Sequence, residues 1–195
     1  MKKIAIIGAG CSGLAAIKCC LDEGLMPECF EMSQDVGGLW NYTHKPEEGR
    51  GSAYKSLVIN TSKEMMAFSD FPPPENFPAF MPHEYVLKYF KMYAGNFGLY
   101  QYINFGTRVE KLNPAFDYAT TGRWDVTVKR QSQDKSETKT YDGVLVCSGH
   151  HTHPYMPKIQ GLEKYSGRIL HSHSYKTNDE FAGKKILVVG KYYVI

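Results

Sequence analysis

A short, mostly apolar run from Lys3 to Ile7 leads directly into glycines spaced G-x-G-x-x-G at Gly8, Gly10 and Gly13, and this junction constrains the fold more than any other stretch. The run has the character of a parallel strand buried on both faces. From Ser12 to Glu23, the positions Leu14, Ala15, Ala16, Ile17 and Leu21 suit a helix packed on a sheet, and Gly24 suits its C-terminal stop. Met26 to Met32 reads as a second strand. Strand, glycine turn, helix and strand make a βαβ unit, whose crossover is almost always right-handed. In such a turn the first glycine permits the bend, the second lets the backbone approach a pyrophosphate, and the third brings helix against strand. Backbone N–H groups at the helix start then hold the phosphates without a charged side chain. Glu31 ends the second strand 18 residues after Gly13, near the distance expected for an acid that accepts from ribose hydroxyls. A carboxylate there repels a 2′-phosphate, so the first site excludes NADP and leaves FAD or NAD.

Three glycines alone would also fit a plain turn, and it is the strand, helix and acid around them that favour a cofactor site. Gly37-Gly38-Leu39-Trp40 has two readings. Paired glycines let the backbone run beside a flat ligand with Trp40 as a wall, or they form a turn carrying a core tryptophan. From Val36 to Pro82 the chain is rich in glycine, proline and aromatics, and Phe71-Pro72-Pro73-Pro74 forbids regular structure, which suggests an ordered loop around a ligand. His83 to Phe97 repeats apolar residues at helical spacing until Gly98. Arg123 to Arg130 alternates Trp124, Val126 and Val128 with polar residues, and with Thr138 to Tyr141 it predicts a β-hairpin. Gly143 to Cys147 predicts another buried strand, closed by Ser148-Gly149, and Lys185 to Gly190 echoes Lys3 to Gly8.

A net charge of only +3, with scattered lysines and arginines, gives no field for steering onto nucleic acid. The five cysteines are odd in number and lack C-x-x-C spacing, which argues against a disulfide framework and for a reducing compartment. Cys11, inside the glycine turn, reads as a small residue without redox chemistry. His150, His151 and His153 follow a strand end without partner cysteines or carboxylates, so no metal site is expected. No signal-peptide pattern appears, and no run reaches the roughly 18 apolar residues of a membrane-spanning helix.

Taken together, these residues resemble the flavin-containing monooxygenases of the dimethylaniline, N-oxide-forming type. The likeness rests on Gly8 to Gly13, Cys29-Phe30-Glu31, Gly37 to Trp40, Asn60-Thr61-Ser62-Lys63-Glu64-Met65-Met66 and Cys147-Ser148-Gly149-His150-His151. Tyr165 to Tyr175 is similar to the family's F-x-G-x-x-x-H-x-x-x-Y signature, with Gly167, His171 and Tyr175 in place and Tyr165 for the phenylalanine. The resemblance implies an enzyme in which NADPH reduces FAD, oxygen adds to the flavin, and the resulting hydroperoxide oxygenates an amine or sulfide. By position, Gly8, Ala9, Gly10, Cys11, Ser12, Gly13, Glu31, Gly38, Leu39 and Trp40 would contact FAD. Asn60, the implied catalytic residue, would help hold the hydroperoxyflavin, with Ile59 and Thr61 lining the same place. An amide both donates and accepts, so the residue type suits that task, although a loop-capping asparagine would look the same. His171 and His173 are expected to be structural hydrogen-bonders rather than bases or ligands.

The expected fold is α/β: an FAD-binding Rossmann-like, three-layer domain with a β-meander insertion over residues 1–154, incomplete relative to the family. Residues 155–195 are expected to be a linker and the first strand of a second, NADPH-type Rossmann domain. After Gly190 the residues Lys191-Tyr192-Tyr193-Val194-Ile195 lack the second and third glycines of the family's NADPH turn. The expectation is therefore a truncated form with most of the NADPH site missing. Two functions follow: a monooxygenase of small amines or sulfides using oxygen, or a catalytically silent FAD-binding fragment or splice isoform. The resemblance implies the cytosolic face of the endoplasmic reticulum membrane, with membrane association only in the full-length family. The chain as given implies the cytosol.

Overall fold

The computed structural model describes residues 1–190; the departure from the second glycine turn, at residues 191–195, lies outside the described residues. In chain order the elements are β1 (Lys3–Ile7), α1 (Cys11–Asp22), β2 (Met26–Phe30), α2 (Lys63–Met66), α3 (His83–Asn96), β3 (Ile103–Asn104), β4 (Thr107–Pro114), α4 (Tyr118–Thr121), β5 (Trp124–Arg130), β6 (Glu137–Tyr141) and β7 (Gly143–Val146). They divide between two compact units, one of Met1–Asn41 with Leu87–His150, the other of Tyr42–Val86 with the chain from His151 on.

The first unit is built on a parallel sheet in the order β3-β2-β1-β7. Ile6 stands level with Cys29 on β2 and with Leu145 on β7. Because side chains alternate along a strand, Ile6 and Cys29 share one face while Ala5 and Phe30 share the other. Helix α1 packs on β1 and β2 and buries Leu14, Ile17 and Cys20. The opposite face carries the antiparallel meander β4-β5-β6, whose Val126, Val128 and Tyr141 close a core with Ala5 and Phe30. Phe30 meets Tyr141 edge to face at 6.2 Å between ring centroids, a preferred aromatic geometry. Helix, parallel sheet and meander give the expected three layers of a Rossmann-like domain.

Helix α1 ends as the sequence requires. Gly24 takes φ +67°, its N–H donates to Leu21 O at 3.1 Å, and Leu25 N–H reaches back to Cys20 O at 2.8 Å. This is the double closure of a Schellman motif, which needs a left-handed residue where glycine costs least.

One acid lies between the parallel sheet and the meander. Alternation puts Glu28 on the meander side of β2, where a carboxylate must find partners. Tyr141 Oη donates to Glu28 Oε2 at 2.7 Å and Lys139 Nζ to Oε1 at 3.0 Å. Burial works to raise the Glu28 pKa, but these two hydrogen bonds and the charges of Lys139 and Lys3 outweigh it and hold it below the usual carboxylate value. A carboxyl whose folded pKa is depressed contributes stability that is present above the unfolded value, about 4.3, and is lost as pH falls through the lower folded value. Glu28→Gln is therefore expected to cost about 1–2 kcal/mol near neutral pH and to flatten the acid limb of stability, read from urea unfolding across pH 2.5–7. A variant whose acid limb matches the parent would contradict this role.

Several stretches differ from the sequence expectations. The strand expected at Gly143 to Cys147 stops at Val146, and Leu145 and Val146 are 41% and 65% exposed, because β7 is a sheet edge. Lys185 to Gly190, expected as a first strand, is in no sheet, and Leu187 and Val188 are 86% and 84% exposed. A strand of that kind exists only through hydrogen bonds to a neighbour, and among the described residues none pairs with it. Strands β3 and β4 occupy a region for which the sequence predicts no element. Helix α1 begins one residue earlier than expected and β2 ends two residues sooner.

In the second unit, backbone bonds from Ile59 N–H to Met81 O (2.9 Å) and from His83 N–H to Leu57 O (3.0 Å) lay one loop along another. The segment around His171 is tied to residues 50–55. Lys55 N–H donates to Lys176 O at 2.8 Å, Lys176 Nζ donates to Ala53 O at 3.1 Å, and His173 Nε2 lies 2.8 Å from Arg50 O. The rings of Tyr54 and Tyr175 meet at a tilt of 55°, with centroids 5.5 Å apart.

Candidate functional site: the glycine turn of the first unit

Each glycine of the turn has a distinct steric reason to lack a side chain. Gly8 adopts φ +99°, and a Cβ there would stand 2.6 Å from Cys147 O. At Gly13 a Cβ would stand 1.8 Å from Gly8 O, so helix α1 approaches the end of β1 backbone to backbone. At Gly10 a Cβ would meet Gly38 Cα at 3.6 Å and Gly38 N at 3.9 Å, both ordinary contacts. Gly10 therefore needs no glycine for the fold itself. Gly8 N–H donates to Phe30 O at 2.8 Å, and Cys29 Sγ lies 3.6 Å from Gly8 O, fixing the bend to β2.

Helix α1 starts on this turn with Gly10 as its N-cap, so no side chain caps it, and its first turn holds no acid. The N–H groups there lack intrahelical acceptors, and with the helix dipole they make a place for an anion. Cys11 and Ser12, the first two helical residues, are exposed, whereas Ala9 is fully buried.

Glu31 lies beside the turn, 5% exposed. Its Oε2 accepts from Ala9 N–H at 2.8 Å, and its Oε1 accepts from Ser33 N–H at 2.8 Å and Ser33 Oγ at 2.7 Å. A carboxylate offers about four lone-pair sites, so three are filled by the protein and about one is left for a ligand hydroxyl. Sequence reasoning assigned Glu31 to a ribose and missed that the same carboxylate orients the Ala9 amide within the turn. The signal was the Ser33 two residues on, since a short polar side chain there closes a local loop.

The Gly37 to Trp40 segment is brought to the same place. Gly37 N–H donates to Ala9 O at 3.0 Å, Gly37 takes φ +107°, and Gly38 to Trp40 form a 3-10 turn. Gly38, at φ +53°, passes Gly10 with no side chain on either. Leu39 and Trp40 are half-buried. The first unit thus gathers Gly8 to Gly13, Glu31 and Gly38 to Trp40 around an uncapped helix start.

Ile59, Asn60 and Thr61 belong to the second unit. Ile59 is buried at 8% exposure, while Asn60 and Thr61 are exposed, and Thr61 Oγ1 donates to Asn60 Oδ1 at 3.4 Å. His171 Nδ1 accepts from His173 N–H at 3.1 Å, the structural hydrogen-bonding role expected of it. Among the described residues, no group of three or more His, Cys, Asp or Glu is placed to hold a metal ion, and no helix is long and apolar enough to cross a membrane.

A family model described as flavin-binding monooxygenase-like matches residues 1–192. The chain is 52% identical over 191 residues to flavin-containing monooxygenase 5 of Oryctolagus cuniculus, covering 97% of this chain and 36% of that protein. It is 48% identical to dimethylaniline monooxygenase (N-oxide-forming) 2 of Macaca mulatta, covering 97% and 35%. The chain thus spans about a third of the length of the curated relatives it matches. The solved structure of S-allyl-L-cysteine S-oxygenase from Allium sativum superposes with a TM-score of 0.83 at 30% identity, over 92% of this chain and 44% of that one.

Proposed function

The chain belongs to the flavin-binding monooxygenase-like family, and from that premise we propose that it binds FAD and serves an oxygenation in which NADPH is the reductant. Oxygen is the oxidant, and the substrates are small molecules with soft nucleophilic nitrogen or sulfur centres. The observation that carries this reading is the side-chain-free approach of Gly10 to Gly38 in front of an uncapped helix. The residues there fit FAD. Gly8 and Ala9, whose N–H groups are already bonded to Phe30 O and Glu31, would shape the turn against the pyrophosphate, the N–H groups of Gly10, Cys11, Ser12 and Gly13 would hold it, and the spare lone pair of Glu31 would take a ribose hydroxyl. Gly38, Leu39 and Trp40 would run along the dinucleotide. Ile59, Asn60 and Thr61 would stand by the flavin ring, Asn60 offering an amide that both donates and accepts.

When bound, FAD supplies the electron transfer and the reaction with oxygen. This chain's residues supply binding, orientation and a fixed amide. The nitrogen and sulfur preference draws on the names of the macaque N-oxide-forming and garlic S-oxygenase relatives. A place at the cytosolic face of the endoplasmic reticulum belongs to the same proposal.

The alternative reading is that the chain holds FAD without turnover. Anaerobic mixing of the FAD-loaded 195-residue chain with NADPH separates the two. Bleaching of the yellow flavin band supports the monooxygenase reading. A band that NADPH leaves unchanged supports the silent one.

A further inference from the structure

The loop that carries Asn60 is fixed at both ends. Ile59 N–H donates to Met81 O at 2.9 Å and Lys63 N–H donates to Ala79 O at 2.7 Å, with a bridge between Val58 and Pro82. Between these anchors the chain bends at Asn60 and Thr61, and Ser62 caps α2 by accepting from Met65 N–H. The far anchor has an additional fastening. Lys63 Nζ reaches Glu75 O at 2.6 Å, Phe77 O at 2.8 Å and Pro74 O at 3.4 Å. An ammonium has three N–H donors, and here each has a carbonyl.

Those carbonyls lie at the end of the Pro72-Pro73-Pro74 stretch, where three successive residues lack a backbone N–H. Such a stretch has too few donors to pair with a neighbouring segment through its backbone, and a side chain must bring them. Lysine suits this task better than arginine, because a compact ammonium converges on three acceptors while a guanidinium donates only within its plane. Charge-assisted hydrogen bonds are also the stronger kind.

We propose that Lys63 is a positioning residue for the Asn60 bend, tying the segment to the proline loop so that the Asn60 amide is held in one orientation before any ligand arrives. The functional value of that orientation rests on the placement of Asn60 beside the flavin ring. Loss of the tie converts a preorganised amide into one that must be ordered on binding.

Two readings on the 195-residue chain test this. The first needs no flavin: hydrogen exchange followed by mass spectrometry on the parent and on Lys63→Met. The bonded amides at the two anchors, Ile59 and Lys63, are expected to exchange about tenfold faster in the variant, with α1 and β1 unchanged. Lys63→Gln, which keeps one carbonyl contact, repeats the comparison should the Met chain fail to fold. The second is a cycle of FAD dissociation constants for the parent, Lys63→Met, Asn60→Ala and the double variant. Each single change is expected to weaken FAD by about fivefold, and the double variant to bind no more weakly than Asn60→Ala. Unchanged exchange at Ile59 and Lys63, or additive losses in the cycle, would overturn the proposal. A parent chain that binds no FAD would sink the proposed function instead, while the exchange comparison still decides the role of Lys63.

Discussion

A chain carrying Gly13→Ala is expected to lose about 3 kcal/mol or more of stability, lowering its melting temperature by roughly 6–12 °C. The new Cβ would lie 1.8 Å from Gly8 O and 2.9 Å from Gly8 C, and both are backbone atoms. No rotamer change relieves such a clash, so either β1 or α1 must move. Moving α1 outward takes Leu14 and Ile17, both fully buried, off the sheet. Moving the Gly8 carbonyl loosens its contact with Cys29 Sγ. Gly24→Ala serves as the comparison: there is open space around that position, and the penalty is confined to the left-handed backbone, about 1 kcal/mol. Thermal unfolding of both variants checks the ranking. A Gly13→Ala chain as stable as Gly24→Ala would mean that the helix does not sit on β1 as described.

Most of the first unit was legible in the sequence because its signals are local. The apolar run, glycine spacing and helical periodicity over residues 3–32 each depend on neighbours a few positions away. The alternation of Trp124, Val126 and Val128 was equally plain. Its partner β4 was not, because a register shift between Val109 and Lys111 breaks the period of two that a strand shows in sequence. Strand β3 spans only Ile103 and Asn104, too short to carry a pattern. Lys185 to Val189 shows the opposite failure. Its residues have strand character, but strand formation is decided by a partner distant in the chain, and no local pattern reports that.

At the site, Gly8 and Gly13 were readable because the turn needs glycine there, and Glu31 because of its distance from them. The internal work of Glu31 on Ala9 and Ser33 was not, since hydrogen-bond partners are a tertiary outcome. Glu28 and Lys63 escaped for the same reason, although an acid inside an otherwise apolar strand was a visible anomaly at Met26-Pro27-Glu28-Cys29-Phe30. The contacts of Lys63 cross 11 to 14 residues of irregular chain, which no periodicity describes.

Gly10→Ala separates the fold from the site. Gly10 has φ −76°, open to any residue, and its Cβ would make only ordinary contact with Gly38. The fold should therefore accept alanine at a cost of less than about 1 kcal/mol. A pyrophosphate lying against this backbone would not, because the second glycine of the turn is the one that admits it. The methyl would occupy the space the phosphate oxygens need and push them out of reach of the N–H groups of the helix start. The most direct measurement is a titration of FAD, by quenching of its fluorescence, into the parent and the Gly10→Ala chain at equal folded fraction. Saturable one-to-one binding by the parent is expected, with a dissociation constant raised by about a hundredfold in the variant, which corresponds to one or two hydrogen bonds to a charged group. Equal affinities in the two chains, or no saturable binding by a folded parent, would contradict it.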